Sequence, residues 1–198
     1  KYAEREQDLK RDEHAVKIKT MVHHLNGMLN DLLTLENIEL GKITPSYTLF
    51  NFDTLVKKIV QTSASFLKED QQLIYHSDNH DMIYHDKKII QIILSNLLNN
   101  AIKYSGEGNQ ININTSTSDN TISFTVKDYG IGIPPQEQEL IFKRFFRASN
   151  VLHQPGTGIG LNIVKGYVDG LNGSIDFESK ENEYTVFSVT LPKIQYHE

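Results

Sequence analysis

The sequence predicts a mixed α and β domain preceded by one long helix. Over roughly the first 44 residues, apolar side chains recur at steps of three and four, and no proline or glycine occurs before Gly27. Beyond Pro45, helical patterns are interspersed with short alternating segments that are typical of strands. With 198 residues, 38% apolar and 23% charged, the composition is that of a globular chain with a substantial core.

The charge balance excludes some classes of function. Lys and Arg number 20 against 25 Asp and Glu, and the net charge of −5 argues against a general nucleic-acid-binding surface. Cysteine is absent, which excludes disulfides and thiolate zinc sites. No apolar run approaches the ~18 residues needed to cross a bilayer, and no signal peptide opens the chain. We therefore expect a cytoplasmic fragment that makes no contact with membrane or nucleic acid.

The long helix is predicted over residues 3–40, with Gly41 as its C-cap and Pro45 soon after. It carries an apolar stripe spaced for packing between helices: Ala15, Ile18, Val22, Leu25, Leu29 and Leu32. Two interpretations remain open. The helix either folds back on the following domain, or forms half of a helical bundle that another segment or chain completes.

The second part of the chain is predicted element by element from periodicity and turn residues. Strands are expected at 48–52, 72–76, 82–84, 110–115, 121–128, 174–178 and 184–191. Helices are expected after Asp53 as N-cap, at 87–104 after Asp86 as N-cap, and at 160–171. Residues 130–155 should form a long loop with a short helix near 136–142.

Four short segments carry side chains suited to chemistry. In the helix at 87–104, Asn96, Asn100 and Lys103 share one face, where two amide oxygens could ligate Mg²⁺ and the lysine could contact phosphate. A polar face making local hydrogen bonds explains this helix equally well when it is considered alone. The segment 128–134 (DYGIGIP) follows a strand, and its Asp128 carboxylate could accept a hydrogen bond from the exocyclic amine of adenine.

The other two segments are rich in glycine or in basic and aromatic residues. Residues 156–161 (GTGIGL) open a helix whose N–H groups could bind an anion, but they match neither the Rossmann fingerprint nor the P-loop. In residues 141–147 (IFKRFFR), Phe142, Phe145 and Phe146 would anchor a loop, and Arg147 could reach phosphate oxygens. A turn or a basic surface explains each of these segments singly.

Taken in order, the four segments resemble the N, G1, F and G2 boxes of the bacterial sensor histidine kinases. The resemblance spans residues 45–193 and includes the preceding helix, where residues 30–33 (NDLL) resemble the second helix of the family's dimerisation domain. It implies an α+β fold, the two-layer α/β sandwich of the Bergerat (GHKL) type. It also implies a division into part of a dimerisation and histidine-phosphotransfer domain at 1–44 and a catalytic ATP-binding domain at 45–198.

The resemblance also implies roles for individual residues, with ATP and Mg²⁺ as cofactors. Asn100 would ligate Mg²⁺ with support from Asn96, and Asp128 would bind the adenine amine. Lys103 and Tyr104 would contact phosphates and sugar, and Arg147 the terminal phosphate, so that Asn100, Lys103 and Arg147 form the catalytic set. The glycines and their neighbours would admit the adenine ring, hinge a mobile lid at about 148–155 and wrap the phosphates: Gly130, Gly132, Gly156, Thr157, Gly158, Gly160 and Leu161.

One feature of the family is missing. The phosphoacceptor histidine of the family is followed by an acidic residue and, four residues after the histidine, by Thr or Asn. His14, His23 and His24 all lack this pattern. The sequence therefore predicts that the acceptor is absent from this chain and that the chain does not phosphorylate itself.

The function implied is transfer of the ATP γ-phosphate to a histidine, for relay to the receiver domain of a response regulator. The parent protein would form a homodimer through the N-terminal helix and be anchored in the membrane. Two alternatives stay open: a non-catalytic nucleotide-binding regulatory module, and another ATPase or serine kinase of the same superfamily.

Overall fold

Residues 2–78 and 81–195 are described by the computed structural model. Side chains of residues 2–10, 12, 13, 15–17, 20, 23 and 24, which include those of Ala15, His23 and His24, lie outside this description. The α-helices are α1 (Tyr2–Glu39), α2 (Phe52–Ser63), α3 (Lys87–Tyr104) and α4 (Gly160–Gly170). The strands are β1 (Thr48–Asn51), β2 (Gln72–Ser77), β3 (Met82–His85), β4 (Gln110–Thr117), β5 (Thr121–Asp128), β6 (Ser174–Lys180) and β7 (Tyr184–Pro192).

Two sheets organise the part of the chain after α1. The larger has five strands in the order β2-β4-β5-β7-β6, with β2 parallel to β4 and every other pair antiparallel. A small antiparallel pair of β1 and β3 adjoins it. Helices α2, α3 and α4 pack beside one another on the large sheet, and the core lies between these two layers. The predicted two-layer α+β sandwich is confirmed.

Strand alternation explains how the sheet buries one face. Every second residue of β5 is buried, and β7 repeats the pattern. The buried side of β5 contributes Ile122, Phe124 and Val126, each at most 1% exposed, and α3 contributes apolar residues at helical spacing. The side of the sheet away from the helices is more polar, as an antiparallel sheet with one wet face requires.

Helices α2 and α3 each start at a side-chain N-cap, with one correction to the sequence prediction. Asp86 caps α3 as predicted, accepting a hydrogen bond from the Ile89 N–H at 2.8 Å. For α2, the prediction of Asp53 as N-cap is wrong, since Asn51 accepts from the Thr54 N–H at 2.7 Å. The buried Asp53 carboxylate instead pairs with Lys57 at 2.7 Å.

The segment between β5 and α4 contains two short 3₁₀-helices. Pro135–Leu140 replaces the helix expected near 136–142, and Ser149–Val151 lies where only loop was expected. Phe142 anchors the segment, because its ring makes edge contacts with Phe177 and Phe187 at centroid distances of 5.9 and 6.5 Å. Phe145 does not anchor it: this side chain is 55% exposed, and its backbone has a positive φ of 62°.

Helix α1 ends as predicted. Gly41 adopts φ +64°, its N–H donates to Ile38 O at 3.0 Å, and the Lys42 N–H donates to Asn37 O at 2.9 Å, which is the Schellman pattern. Near this end, Leu35 is fully buried against Ile159 and Ile163.

The rest of the apolar stripe on α1 is exposed wherever its side chains are described. Exposure is 61% at Ile18, 50% at Val22, 65% at Leu25, 57% at Leu29 and 41% at Leu32. The helix therefore folds back on the domain only through its last turns. No helix in the described residues is both long enough and apolar enough to cross a membrane.

Candidate nucleotide-binding site

A cavity of about 220 Å³ opens where α3, the end of β5 and the segment leading into α4 meet. All but one of the residues assigned from the sequence to catalysis or to binding of ATP and Mg²⁺ line this cavity: Asn96, Asn100, Lys103, Tyr104, Asp128, Gly132, Arg147, Gly156, Thr157, Gly158, Gly160 and Leu161. Residues that lie more than 60 positions apart in the sequence are thus gathered around one space. Gly130 lies outside the cavity lining.

One wall of the cavity carries amide oxygens. Asn96 donates its side-chain N–H to Ile92 O at 2.9 Å, which leaves its amide oxygen free to face the start of α4. There, a Cβ on Gly160 would lie 2.8 Å from that oxygen, so glycine lets the amide lie against the helix start without a shift. Asn100 makes no side-chain hydrogen bond to any described residue. Neutral oxygen donors of this kind suit Mg²⁺, which prefers hard oxygen ligands.

Cationic and backbone groups lie beside the amides. The Lys103 ammonium donates to the Tyr104 hydroxyl at 3.0 Å. A Cβ on Gly156 would lie only 2.6 Å from the Lys103 ammonium nitrogen. Helix α4 starts without a side-chain cap, so its first N–H groups are available to an anion, and Gly160 and Leu161 at this start line the cavity. Ammonium, helix N-terminus and amide oxygens together form a site with the chemistry of a phosphate and metal pocket.

The Arg147 side chain contacts loop carbonyls in this structure, whereas the sequence predicts that it contacts phosphate. Its guanidinium donates to Val151 O at 2.5 Å and to Gln154 O. The arginine therefore closes the loop at 148–155 on itself, at the edge of the same cavity. Its contact with phosphate stays a prediction, and it would require exchange of these carbonyl partners.

Asp128 is the last residue of β5 and lines the same cavity. Its carboxylate is buried, at 6% exposure, and accepts a hydrogen bond from the Gly130 N–H at 3.0 Å. Burial raises the pKa of Asp128 to about 7, and the Gly130 hydrogen bond opposes that rise. A buried carboxylate with a raised pKa and few partners is suited to receive an external hydrogen-bond donor.

The structure gives Gly130 a different reason for being glycine. A Cβ at this position would lie 2.3 Å from the Tyr104 carbonyl oxygen, since residues 105 and 130 form an isolated β-bridge. The missing side chain therefore lets the chain after β5 pair with the end of α3, rather than admitting a ring. This contact holds the end of β5, which carries Asp128, beside the end of α3, which carries Tyr104.

The loop at 148–155 is tied to the body near its start, and a glycine with positive φ follows its end. The Asn150 amide donates to Gly132 O at 3.0 Å, and the Ser149 N–H donates to the Glu137 carboxylate at 2.9 Å. At the far end, Gly158 has φ +71°, and a Cβ there would lie 2.6 Å from Phe146 O. The loop predicted to be the lid is thus held to the body near its start.

Further lining residues were not identified as site residues from the sequence. They are Asp31, Ile133, Ile141, Phe146, Ala148, Asn150, Val151, Thr185 and Phe187. Thr185 lies opposite Asp128 in the β5–β7 register, which the sequence does not specify. Asp31 comes from α1, and only the packing of that helix brings it to the cavity.

The fold and cavity agree with the comparisons to known proteins. Residues 85–195 match the family described as histidine kinase-, DNA gyrase B- and HSP90-like ATPases. That match covers more than half of the chain and includes α3, β5, the lid and α4. The chain belongs to this family.

Three individual proteins to which the chain is similar include a sensor protein and a histidine kinase. The heme sensor protein HssS of Staphylococcus aureus is 32% identical over 184 residues, which are 92% of this chain and 39% of that protein. The chain thus spans well under half the length of this curated relative. The catalytic domain of the histidine kinase ThkA is 28% identical with a TM-score of 0.63, over 75% of this chain and 96% of that one. Full-length ShkA in complex with AMPPNP has a TM-score of 0.77 at 21% identity, over 88% of this chain and 37% of that one.

Proposed function

We propose that the chain is the ATP-binding catalytic part of a sensor histidine kinase, which transfers the γ-phosphate of ATP to a histidine for relay to a response regulator. The observation that carries the proposal is the joining of two features. One cavity is lined both by Asp128, which we assign to its adenine end, and by the Asn96–Asn100–Lys103 face, which we assign to its phosphate end. Asp31 of the long helix, whose apolar stripe is exposed, lines the same cavity.

The two ends of the cavity match the two ends of ATP. Asp128 would accept the exocyclic amine of adenine, whereas guanine presents a carbonyl oxygen there and would be repelled. Asn100 would hold Mg²⁺ with Asn96 beside it, and the bound cation would neutralise phosphate charge. Lys103 and the N-terminus of α4 would position the phosphates, because phosphoryl transfer depends mainly on positioning and charge neutralisation. The AMPPNP complex of ShkA supports a nucleotide of this kind.

The long helix distinguishes a histidine kinase from the other branches of the superfamily. Its exposed stripe, from Ile18 to Leu32, is spaced to pack against further helices. We propose that residues 1–44 are part of a dimerisation domain, that residues 45–198 form the catalytic domain, and that two copies of the parent protein associate through this stripe. The receiver domain of a response regulator and a membrane anchor in the parent protein belong to the same proposal.

Nucleotide titration tests the binding half of this proposal. With Mg²⁺ present, calorimetry should show binding of ATP and much weaker binding of GTP, since Asp128 matches adenine. Equal affinity for ATP and GTP would contradict the assignment of Asp128, and no affinity for ATP would overturn the proposed function.

Phosphotransfer is tested with γ-labelled ATP. We propose that the acceptor histidine lies outside this chain, so the chain alone should take up no acid-labile, alkali-stable label. Such label on this chain would contradict that placement. Steady release of inorganic phosphate would instead favour an ATPase of the same superfamily.

A further inference from the structure

The acidic residue Asp31 of α1 lies in the nucleotide cavity, although it belongs to the long helix and not to the ATP-binding fold. It lines the same space as Asn96, Lys103 and Gly160. Its carboxylate is partly buried there and makes no hydrogen bond or ion pair with a residue whose side chain the structure describes. An unpaired carboxylate in a cavity built for phosphates needs an explanation.

Packing of the helix fixes this position. One turn after Asp31, Leu35 is fully buried against Ile159 and Ile163, at the start of α4. The next turn brings Ile38 onto Gly166, where a Cβ would lie 2.5 Å from the isoleucine methyl group. The helix is therefore seated closely on α4, and the side chain one turn earlier has to face the cavity.

A second contact, beyond the packing of α1 on α4, is made by the end of α1. Glu39 forms an ion pair of 3.0 Å with Arg144, in the segment just before the lid. Both side chains are largely exposed, so this pair adds orientation more than energy. From Asp31 to Glu39, the helix thus touches the cavity, α4 and the approach to the lid in succession.

The position of the Asp31 carboxylate in the cavity affects the binding of negatively charged ligands. Burial raises the pKa of Asp31, which shows that its charged form is poorly solvated in the cavity. A triphosphate placed against Lys103 and the start of α4 would share that space with the carboxylate. Like charges in a partly desolvated site repel more strongly than in bulk water.

We propose that Asp31 makes seating of α1 on α4 and binding of the nucleotide phosphates mutually antagonistic. This inference rests on the proposed function. The seated helix lowers the affinity for ATP, and by reciprocity bound ATP loosens the helix from α4. Movement of the helix then controls the occupancy of the nucleotide site through one carboxylate.

Substitution of Asp31 tests the antagonism with two ligands of different charge. Asp31→Asn should tighten ATP binding by about 3- to 10-fold, the range expected for removing one like charge from a partly buried site. Affinity for adenosine, which carries no phosphate, should stay as in the wild type. The gain for ATP should shrink as salt concentration rises. Glu36→Gln, which removes an exposed carboxylate from the same helix, should leave both affinities unchanged.

Loosening the helix supplies an independent variant. Leu35→Ala removes the buried contact with α4, so it should also tighten ATP binding. In the Asp31→Asn background it should add little, because both changes relieve the same repulsion. Thermal melting of each variant checks that the domain remains folded.

Two outcomes would overturn the inference while leaving the proposed function intact. Weaker ATP binding by Asp31→Asn only in the presence of Mg²⁺ would make Asp31 a metal ligand. An equal change for ATP and adenosine would make its effect structural. A wild-type chain that binds no ATP would instead remove the proposed function, and this inference with it.

Discussion

The two ends of the cavity are built in different ways. At the Asp128 end, the chain is held by sheet pairing and by the close contact between Gly130 and the Tyr104 carbonyl. At the phosphate end, the groups come from α3, from a lid and from the uncapped start of α4, and their partners are side chains and loop carbonyls. The first end is thus held by backbone pairing, whereas the second is held by side chains and a loop. We expect substitutions at the two ends to fail in different ways.

The largest expected effect lies at the phosphate end. Asn100→Ala removes the proposed metal ligand, and Mg²⁺-dependent affinity for ATP should fall by about 100-fold or more, since even residues that only support a ligand cost 10–100-fold. Affinity for adenosine should be nearly unchanged. Calorimetry with and without Mg²⁺ measures both.

Asn99→Ala is the matched control for this change. Asn99 directly precedes Asn100 on α3 but lies on another, exposed side of the helix. ATP binding that is equally strong in Asn100→Ala, Asn99→Ala and the wild type would exclude Asn100 as the metal ligand and would support a non-catalytic nucleotide-binding module.

The next effect lies at the adenine end. Asp128→Asn should weaken binding of ATP and of adenosine alike by about 10- to 100-fold, because a hydrogen bond to a charged acceptor contributes about 1.5–3 kcal/mol. The exposed Asp119→Asn is the control. Loss of ATP binding with full retention of adenosine binding would place Asp128 at the wrong end of the ligand.

The same substitution should stabilise the empty protein at pH 8. Folding raises the pKa of Asp128 from its ordinary value of 3.8 to about 7, so between these pH values the folded state binds a proton that the unfolded state lacks. Stability from this group is therefore lost as pH rises toward 7, and the buried charge remains a cost above it. Asp128→Asn removes that cost, and its melting temperature at pH 8 should exceed that of the wild type by at least about 2 °C.

These contrasts show what sequence reasoning could reach. The Asn96–Asn100–Lys103 face follows from helical periodicity, and Asp128 follows from its place at the end of an alternating strand, because both patterns are local. Asp31 and Thr185 could not be assigned to the cavity, since one depends on how a helix packs and the other on strand register. The reason for Gly130 was also out of reach, because the carbonyl it contacts lies 26 positions earlier in the chain. Capping of α2 was misassigned for a related reason, as Asn51 and Asp53 are both good caps and only burial of Asp53 separates them.

A fourth prediction uses pH to test the Asp128 end alone. With the Asp128 pKa at about 7, the ionised fraction in the empty protein falls about 10-fold from pH 8 to pH 6. Adenosine affinity should fall by the same factor over that range, because the proposed contact needs the carboxylate. In Asp128→Asn the profile should be flat. A wild-type profile that is equally flat would show that the protonation of this carboxylate is not linked to binding.

The smallest effect concerns the lid. Arg147→Ala removes the guanidinium that donates to Val151 O and Gln154 O. Hydrogen exchange should therefore accelerate at lid amides such as that of Gln154, whose N–H donates to Val151 O. The expected acceleration is about 3- to 10-fold, because each lost hydrogen bond contributes only modestly to stability. Exchange in the core strands β5 and β7 should not change, because the lid opens locally. Arg144→Ala is the control, since Arg144 pairs with Glu39 and not with the lid. Unchanged lid exchange in Arg147→Ala would mean that the ties through Asn150 and Ser149 suffice to close the loop. Arg147 would then be free to turn to phosphate without cost to the lid.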